Sequence, residues 1–377
     1  IIFIGMPLYA AVVMKGGAVF IEQMFHIDLH LALWIFTLIV AAYVITGGIK
    51  GVLYTDALQA VIMFACMLFL LFWFYHIMDM GFIEANQKLT DIAPMVPERF
   101  KALGHQGWTA MPISGSPQWY TLVTSLILGV GIGCLAQPQL VVRFMMVEST
   151  EQLNRGVLIG CVFLIVTVGA IYHVGALSNL FFLKTEGVVA SEAVKDMDKI
   201  IPLFINKAMP EWFGAVFMLC ILSASMSTLS AQFHTMGAAF GADAFPKLGR
   251  SKNPNSTLGV RIGVLCSILV SYVICYTLSA SIIARGTALF MGICAATFLP
   301  TYFCSLYWKG ATRQGALASL WVGGLASLFA MLFLHKAEAA PVGLCKALFG
   351  QDVLIDVYPW HAIDPILFAL PLSAITI

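Results

Sequence analysis

The sequence predicts an all-α, polytopic membrane protein, and three observations lead to this class. Of the 377 residues, 60% are hydrophobic and only 10% are charged, and the mean hydropathy is +0.92. A soluble domain carries about 25% charged residues, so most of this surface must face a medium other than water. Long, continuously apolar runs recur along the chain. Such runs favour helices over the short alternating strands of a membrane barrel.

Each predicted helix follows from the length of its apolar run. A spanning helix needs roughly 20 apolar residues to cross a hydrocarbon core of about 30 Å. Ten runs fit, and we expect about ten transmembrane helices at residues 1–24, 30–48, 54–78, 118–146, 153–181, 211–243, 257–280, 283–308, 314–334 and 362–377.

The connections between these runs set the orientation. Longer connections of mixed charge alternate with short ones in which Lys and Arg dominate. The excess of positive charge places the short connections in the cytoplasm, so the first helix runs from inside to outside. The short connections lie near residue 50 and at 143–155, 247–252 and 309–313, and the longer ones are 79–117, 182–210 and 335–361. Because the chain starts at Ile1 and ends inside an apolar stretch, we expect a piece of a longer protein, truncated at both termini.

Composition also disfavours several classes of function. The net charge is only +1, which argues against the concentrated basic face that binding to a nucleic acid requires. Eight of the nine cysteines lie inside apolar runs, which indicates buried small hydrophobic residues rather than disulfides. A membrane-embedded enzyme needs a catalytic constellation at membrane depth, and no Asp, Glu and His cluster has a suitable spacing.

The first unusual stretch is 46–59. Gly47, Gly48 and Gly51 are expected to end one helix, and Thr55 or Asp56 can cap the next, since a carboxylate favours a helix N-terminus. Alternatively, Asp56 faces a water-filled inner vestibule through which a cation leaves. Both interpretations stay open on the residues alone.

The second stretch breaks a spanning helix. Gly129, Gly131 and Gly133 alternate ahead of Gln137 and Pro138. Proline removes a backbone hydrogen bond and glycines lower the cost of leaving helical geometry. Broken transmembrane helices point to transporter binding sites, which favours a cavity. The alternative is a tight packing seam, because the first and third glycines make a GxxxG motif.

The third stretch is a cluster of hydroxyl groups on one predicted helix. Ser223, Ser227, Ser230 and His234 fall on one stripe, and Thr228 lies beside it. A single hydroxyl in hydrocarbon often bonds only to the preceding turn. Adjacent hydroxyls with a carbonyl one turn back supply neutral oxygens that suit a dehydrated monovalent cation.

A lysine lies well inside the first apolar run. Lys15 is costly at that depth unless it is paired, so it is a candidate functional residue. Together with Arg285, at the outer end of another run, it suggests a solute that carries a carboxylate. Alternatively, helix neighbours or snorkelling satisfy the amine.

These stretches together resemble the sodium:solute symporter family, whose members share the inverted-repeat core of LeuT-like transporters. The pattern at 47–59 looks like the start of core helix five. The segment 137–145 is similar to core helix six, especially in the sodium/proline and sodium/pantothenate permease branches. The segment 226–230 resembles the sodium site of core helix eight, and 308–316 resembles the loop after core helix ten. The four matches occur in order along essentially the whole chain.

The resemblance implies roles for particular residues. The side chains of Ser227 and Thr228 would bind Na⁺ as the sole metal, with the Ala224 carbonyl as a third ligand. Asp56 would lie on the cytoplasmic exit path of the cation. The broken helix at 129–138 would line the solute site, where we also place Lys15.

The alignment with the family also implies a domain organisation. Residue 1 would fall near core helix three, so the LeuT-like core would lack its first two helices. We expect one transmembrane transporter domain over 1–377, in which 1–78 completes the first repeat, 118–308 forms the second, and 314–377 adds peripheral helices. The aromatic residues of the proline branch are replaced by Val130 and Cys134, so no solute specificity is carried over.

The expected function is sodium-coupled secondary active symport of a small organic solute, carboxylate or amino-acid-like, in the plasma (bacterial inner) membrane. The expected partners are the solute, Na⁺ and the lipid bilayer, with no nucleic acid, no cofactor and no enzymatic activity. Two alternatives stay open: a solute-sensing, transporter-like domain of a signalling protein, and a proton-coupled symporter of the same fold.

Overall fold

The computed structural model describes residues 2–194, 196–246, 257–278 and 283–377. The described residues form helices and contain no β-strand. The α-helices are α1 (Ile2–Phe25), α2 (Leu29–Met78), α3 (Phe82–Asp91), α4 (Glu98–Lys101), α5 (Pro117–Tyr120), α6 (Gly131–Gly133), α7 (Pro138–Phe144), α8 (Thr150–Glu186), α9 (Ala190–Ala193), α10 (Ile200–Ala208), α11 (Glu211–Ala239), α12 (Thr257–Thr277), α13 (Ile283–Tyr307), α14 (Arg313–Phe333), α15 (Lys336–Val342), α16 (Leu344–Phe349) and α17 (Ile366–Ile375).

Among the described residues, nine helical segments are long and apolar enough to cross a membrane. They match nine of the ten predicted runs, which confirms the all-α, polytopic class. The tenth run, 362–377, contains only the ten-residue helix α17, and its length of about 15 Å covers half of the hydrocarbon core. The nine segments are Gly5–Phe25, Leu29–Thr46, Leu53–Met78, Pro117–Ala136, Thr150–Glu186, Glu211–Ala239, Leu258–Thr277, Ile283–Tyr307 and Arg313–Phe333.

One predicted boundary is wrong. The glycines of 47–51 do not end a helix, because α2 continues through them for 50 residues. Thr55 and Asp56 therefore lie inside α2 and do not cap its start, a role that belongs to Asp28. The physical reason is that each glycine weakens a helix by only about 1 kcal/mol relative to Ala, and no proline removes a hydrogen bond there.

The predicted break in the fourth span is confirmed. The segment Thr121–Val130 is wound as a π-helix, α6 is a single short turn, and Cys134–Ala136 is a 3₁₀-helix. Gln137 then adopts an extended conformation with ψ of 122°. Pro138 opens α7 as its first residue, where its missing N–H costs nothing.

The chain forms two compact units, each assembled from separate stretches. The major unit comprises residues 2–95 and 146–283, and the minor unit comprises 96–145 and 284–377. The major unit contains α1, α2, α8, α11 and α12 around a core of buried phenylalanines. The minor unit contains the broken helix, α13, α14 and α17. The predicted repeat boundaries stay a prediction, and the predicted cytoplasmic connection 247–252 lies outside the described residues.

All nine cysteines are free. Five of them are buried, including Cys66 and Cys220 in the major unit and Cys345 in the minor unit. This agrees with their interpretation as small apolar side chains.

Candidate ion and solute sites

The hydroxyl cluster lies on α11 in the major unit. The hydroxyl of Ser227 donates to the Ala224 carbonyl oxygen at 3.1 Å, and the hydroxyl of Thr228 donates to the same oxygen at 3.0 Å. The helix produces this geometry because side chains three and four residues on lie over the same turn. All three residues are partly exposed, so the oxygens are not sealed inside the helix packing.

Each hydroxyl oxygen lies at a distance from the Ala224 carbonyl oxygen that suits a shared cation. Oxygens about 3 Å apart can share an ion at the roughly 2.3–2.6 Å distances that they take around Ca²⁺, whose radius is close to that of Na⁺. None of the three carries a charge, which favours a monovalent ion over a divalent one. Ser230, which is fully buried, donates instead to the Ser227 carbonyl at 3.0 Å and thus faces the next turn.

The helices α2 and α11 pack side by side in antiparallel directions. Two contacts with α11 establish the register, because positions advance along α2 as they retreat along α11, and a third contact, with the last residue of α10 just before α11, continues the trend. They are the contact of the Cys66 thiol with the Val216 carbonyl at 3.9 Å, the Phe69–Phe213 ring pair with centroids 4.5 Å apart, and the hydrogen bond from the Trp73 indole to the Ala208 carbonyl at 3.1 Å.

The same register positions Asp56. Moving back along α2 from Cys66 to Asp56 corresponds to moving forward along α11 from Val216 to about Met226. Asp56 thus lies at the level of Ser227, within about one helical turn of 5.4 Å. A carboxylate at this level would attract a cation bound by the α11 oxygens.

Two glutamines, one on α2 and one on α11, were not assigned a role from the sequence. Gln59 lies one turn from Asp56 on α2, and its side-chain oxygen is buried without a hydrogen-bond partner among the described residues. Gln232 on α11 is fully buried, and neither atom of its amide has a partner in the described part of the chain. Gln59 belongs to the family-like pattern at 47–59, which was the available signal. No such signal marked Gln232 in the sequence, because a single Gln in an apolar helix is compatible with many structural roles.

The glycines of the broken helix differ in their surroundings. A Cβ atom on Gly133 would lie 2.6 Å from the carbonyl carbon of Met291 on α13. One on Gly129 would lie 3.7 Å from the Ala288 carbonyl oxygen of the same helix. Gly131 is exposed and has nothing within 4 Å. Gly129 and Gly133 therefore face α13, as the packing interpretation expects, and Gly131 alone faces open space.

Gln137 marks the point where the helix is interrupted. Its side chain is buried, and its amide oxygen accepts a hydrogen bond from the Gln139 amide. Its own backbone is extended, so local carbonyls leave the helical pattern as predicted. The assignment of Gly129, Gly131, Gly133 and Gln137 to a solute site stays a prediction.

Lys15 lies inside the major unit. Its residue is 8% exposed, and its amine donates to the Leu278 carbonyl at 2.7 Å. Leu278 directly follows the last residue of α12, and a cation is favoured at a helix C-terminus, which carries about half a negative charge. The end of a neighbouring helix thus accepts one hydrogen bond from the amine. This agrees with the alternative that helix neighbours satisfy Lys15.

Arg285 lies in the minor unit, at the start of α13. It lines a small cavity with His335 and Glu338, whose side chains hydrogen-bond to each other. Burial lowers the pKa of His335 to about 4, and the nearby Arg285 charge adds to this effect. Close to this cavity, burial raises the pKa of the Asp364 carboxyl, and the Asp364 backbone donates to the Thr124 hydroxyl at 3.2 Å.

The fold and the oxygen cluster on α11 define a multi-pass membrane protein of the transporter type. The profile of the sodium:solute symporter family matches residues 1–323. The chain belongs to this family, as its motifs predicted, and is an integral protein of the plasma membrane.

Individual relatives agree with this membership. The chain is 27% identical to the high-affinity proline transporter PutP of Bacillus subtilis over 327 residues, which is 86% of this chain and 64% of the relative. It is 29% identical to the osmoregulated proline transporter OpuE of the same organism over 93% of this chain and 66% of the relative. It is 26% identical to the sodium/pantothenate symporter of Haemophilus influenzae over 82% of this chain and 60% of the relative. The chain thus spans less than two thirds of the length of these relatives.

A solved structure supports the fold. A Na⁺-coupled sialic acid symporter in a substrate-bound, outward-open state aligns with a TM-score of 0.68 and 17% identity, over 99% of this chain and 72% of that protein. At this identity the likeness concerns the fold alone, and it confirms the expected LeuT-like architecture.

Proposed function

We propose that this chain carries the ion-binding part of a sodium-coupled symporter for a small organic solute, carboxylate or amino-acid-like. The observation that carries the proposal is the convergence of three neutral oxygens on α11, within a chain of the sodium:solute symporter family. Ala224, Ser227 and Thr228 would bind Na⁺. Proline, pantothenate and sialic acid, which appear in the names of its relatives, each carry a carboxylate.

The proposed mechanism is secondary active transport. Na⁺ and the solute bind better together than separately, and each raises the affinity of the other by the same factor. The inward Na⁺ gradient then drives solute uptake. At a potential of 100 mV, each charge moved supplies about 2.3 kcal/mol, which is enough to concentrate a neutral solute more than tenfold.

Asp56 would provide the path by which Na⁺ leaves. The α2–α11 register supports this role, because it brings the carboxylate to the level of Ser227 from the neighbouring helix. A cation released from the α11 oxygens would thus meet a negative charge at a similar depth on the neighbouring helix.

The test is solute-stimulated uptake of radioactive Na⁺ into proteoliposomes that contain the full-length parent protein, with a screen of small carboxylates and amino acids. Ser227→Ala and Thr228→Ala should each strongly reduce the stimulation, because each removes one of three ion ligands. Thr235→Ala is the matched control, since its hydroxyl donates to the Ala231 carbonyl on the same helix at 2.8 Å and should leave uptake unchanged.

Other outcomes would point elsewhere. Uptake that is indifferent to both substitutions would reject the ion site. Solute uptake driven by a pH gradient without Na⁺ would indicate proton coupling. Absence of uptake with every solute of the screen would favour a solute sensor of the same fold.

A further inference from the structure

A cavity of about 190 Å³ lies beside Lys15 in the major unit. Its walls come from α1, from the first turns of α2 and from the C-terminal end of α12. An engineered apolar cavity of about 150 Å³ binds benzene, so this one has room for a small organic ligand. The described residues that line it include no acidic side chain and only one lysine or arginine, Lys15.

The charge of Lys15 is incompletely compensated by the protein. A lysine ammonium has three hydrogen-bond donors, and the Leu278 carbonyl accepts one of them. No carboxylate of the described residues lies within ion-pair distance of this amine, and the residues outside the described ranges include no Asp or Glu. A buried charge without a counter-charge is strongly unfavourable, and the end of α12 supplies only about half a negative charge.

Apart from His30, Cys275 and Tyr276, the rest of the cavity wall is apolar. Ala18 is 1% exposed and Leu33 is 3% exposed, and both face the space beside the amine. The rings of His30 and Tyr276, both exposed, line the same cavity with centroids 4.6 Å apart. The cavity thus combines one buried positive charge with a largely apolar space of limited size, bordered by two exposed rings.

We propose that this cavity binds a small monocarboxylate with a short apolar tail. The carboxylate accepts hydrogen bonds from the two remaining donors of Lys15, and the tail lies against Ala18 and Leu33. A zwitterionic amino acid fits poorly, because no acidic side chain of the lining would receive its ammonium group. A dianion would meet only one positive charge.

This inference rests on the proposed function in one respect, because it names the class of solute that the symporter would carry. The binding itself does not require ion coupling. It also distinguishes the solute of this chain from proline, for which several relatives are named. The ammonium group of zwitterionic proline would have no acidic partner in this cavity.

The test is equilibrium binding by calorimetry on the purified full chain, in Na⁺ and in choline buffers. Butyrate and benzoate are the probes, butyramide and benzamide are their neutral counterparts, and proline is the zwitterion. We expect the carboxylates to bind at least tenfold more tightly than the amides and proline. The affinity should fall at least tenfold in Lys15→Gln and be unchanged in Lys184→Gln, an exposed lysine of α8.

Two further variants keep the test decisive if Lys15→Gln fails to fold. Lys15→Arg preserves the charge and should retain carboxylate binding. Ala18→Leu fills the cavity without altering the charge and should abolish it. Equal binding of acids and amides, or undiminished binding in both Lys15→Gln and Ala18→Leu, would overturn the proposal.

The outcomes also separate this proposal from its competitors. Butyrate binding that appears only after removal of anionic lipid would identify a lipid headgroup as the occupant and reject a free solute. Carboxylate binding that is lost in Lys15→Gln but persists in Ser227→Ala would support the cavity even if sodium coupling failed. Na⁺-coupled solute uptake together with butyrate binding that is undiminished in both Lys15→Gln and Ala18→Leu would leave the proposed function standing and reject this inference.

Discussion

Adding one methyl group to each glycine of the broken helix tests how this segment is packed. All three backbones can accept alanine, since Gly131 and Gly133 both have a φ of −62° and Gly129 lies within the π-helix. Substitution to Ala therefore changes contacts without imposing backbone strain. The expected outcome differs at each position because the neighbouring atoms differ.

The contacts determine the magnitudes. At Gly133 the new carbon would lie 2.6 Å from the Met291 carbonyl carbon, whereas unstrained carbon atoms approach to about 3.5–4.0 Å. The two helices must therefore separate by about 1 Å, and overpacking of this kind costs about 1–3 kcal/mol. At Gly129 the nearest atom, the Thr124 carbonyl oxygen, would lie at 3.5 Å, which is an ordinary contact. At Gly131 nothing lies within 4 Å.

Helix propensity acts in the opposite direction. Alanine is favoured over glycine by about 1 kcal/mol inside a helix. Gly131→Ala should thus be neutral or stabilising by up to about 1 kcal/mol. Gly133→Ala should be destabilising by roughly 1–2 kcal/mol after this gain, and Gly129→Ala should lie between them.

The measurement is thermal unfolding of the three purified variants and the parent in one detergent. The expected order of melting temperatures is Gly131→Ala highest and Gly133→Ala lowest. Equal destabilisation at Gly131 and Gly133 would refute the close approach of α13. Uptake that is lost in Gly131→Ala without a loss of stability would show that this open face contacts the solute.

Two further predictions concern the minor unit, and one concerns the major unit. The unfolded state binds more protons than the folded state between pH 4 and 6.5, because His335 has a folded pKa of about 4. The free energy of unfolding should therefore fall as pH drops through this window, by up to about 3 kcal/mol. The melting temperature of His335→Gln should depend less on pH than that of the parent. In thermal melts, Gly323→Ala should destabilise the protein by about 1–3 kcal/mol, because the new Cβ would lie 2.7 Å from the Ala296 carbonyl carbon. Gly324→Ala is the matched control and should be neutral, because its Cβ would lie 3.5 Å from the nearest neighbouring atom. Asp28→Ala should lower the free energy of unfolding by about 1 kcal/mol, because the Asp28 side chain accepts a hydrogen bond from the His30 backbone N–H at 2.8 Å at the start of α2. An unchanged melting temperature in this variant would contradict the role of Asp28 as a helix cap.

The sequence predicted those features that local chemistry determines. The apolar runs predicted nine membrane-length segments, because hydrocarbon tolerates hardly any alternative to a helix. The helix break near Gln137 was predictable because Pro138 has no N–H to donate, and no tertiary contact can restore that hydrogen bond. The end of a helix at 47–51 was wrongly predicted, because glycine only lowers helix stability and neighbouring helices can outweigh that loss.

Features that depend on residues far apart in the chain could not be predicted from the sequence. The partner of Lys15 is a backbone carbonyl 263 positions away, and no side-chain pattern indicates it. The difference between Gly131 and Gly133 likewise depends on which of them faces α13. Spacing alone showed a GxxxG motif but did not show which of these glycines another backbone approaches.

The hydroxyl cluster of α11 combines both kinds of information. The sequence indicated the stripe, and the structure shows that Ser227 and Thr228 share the Ala224 carbonyl as acceptor. Because the helix itself satisfies both hydroxyls, they need no other partner to lie inside a hydrocarbon-spanning segment. To bind a cation, each O–H bond must rotate away from the carbonyl so that oxygen lone pairs point at the ion. This rotation gives up two hydrogen bonds worth about 1 kcal/mol each, so the ion must supply more than about 2 kcal/mol before it binds. Removing one hydroxyl lowers that cost by half but removes one of three ligands, and we therefore expect single substitutions to weaken Na⁺ binding while leaving the helix intact.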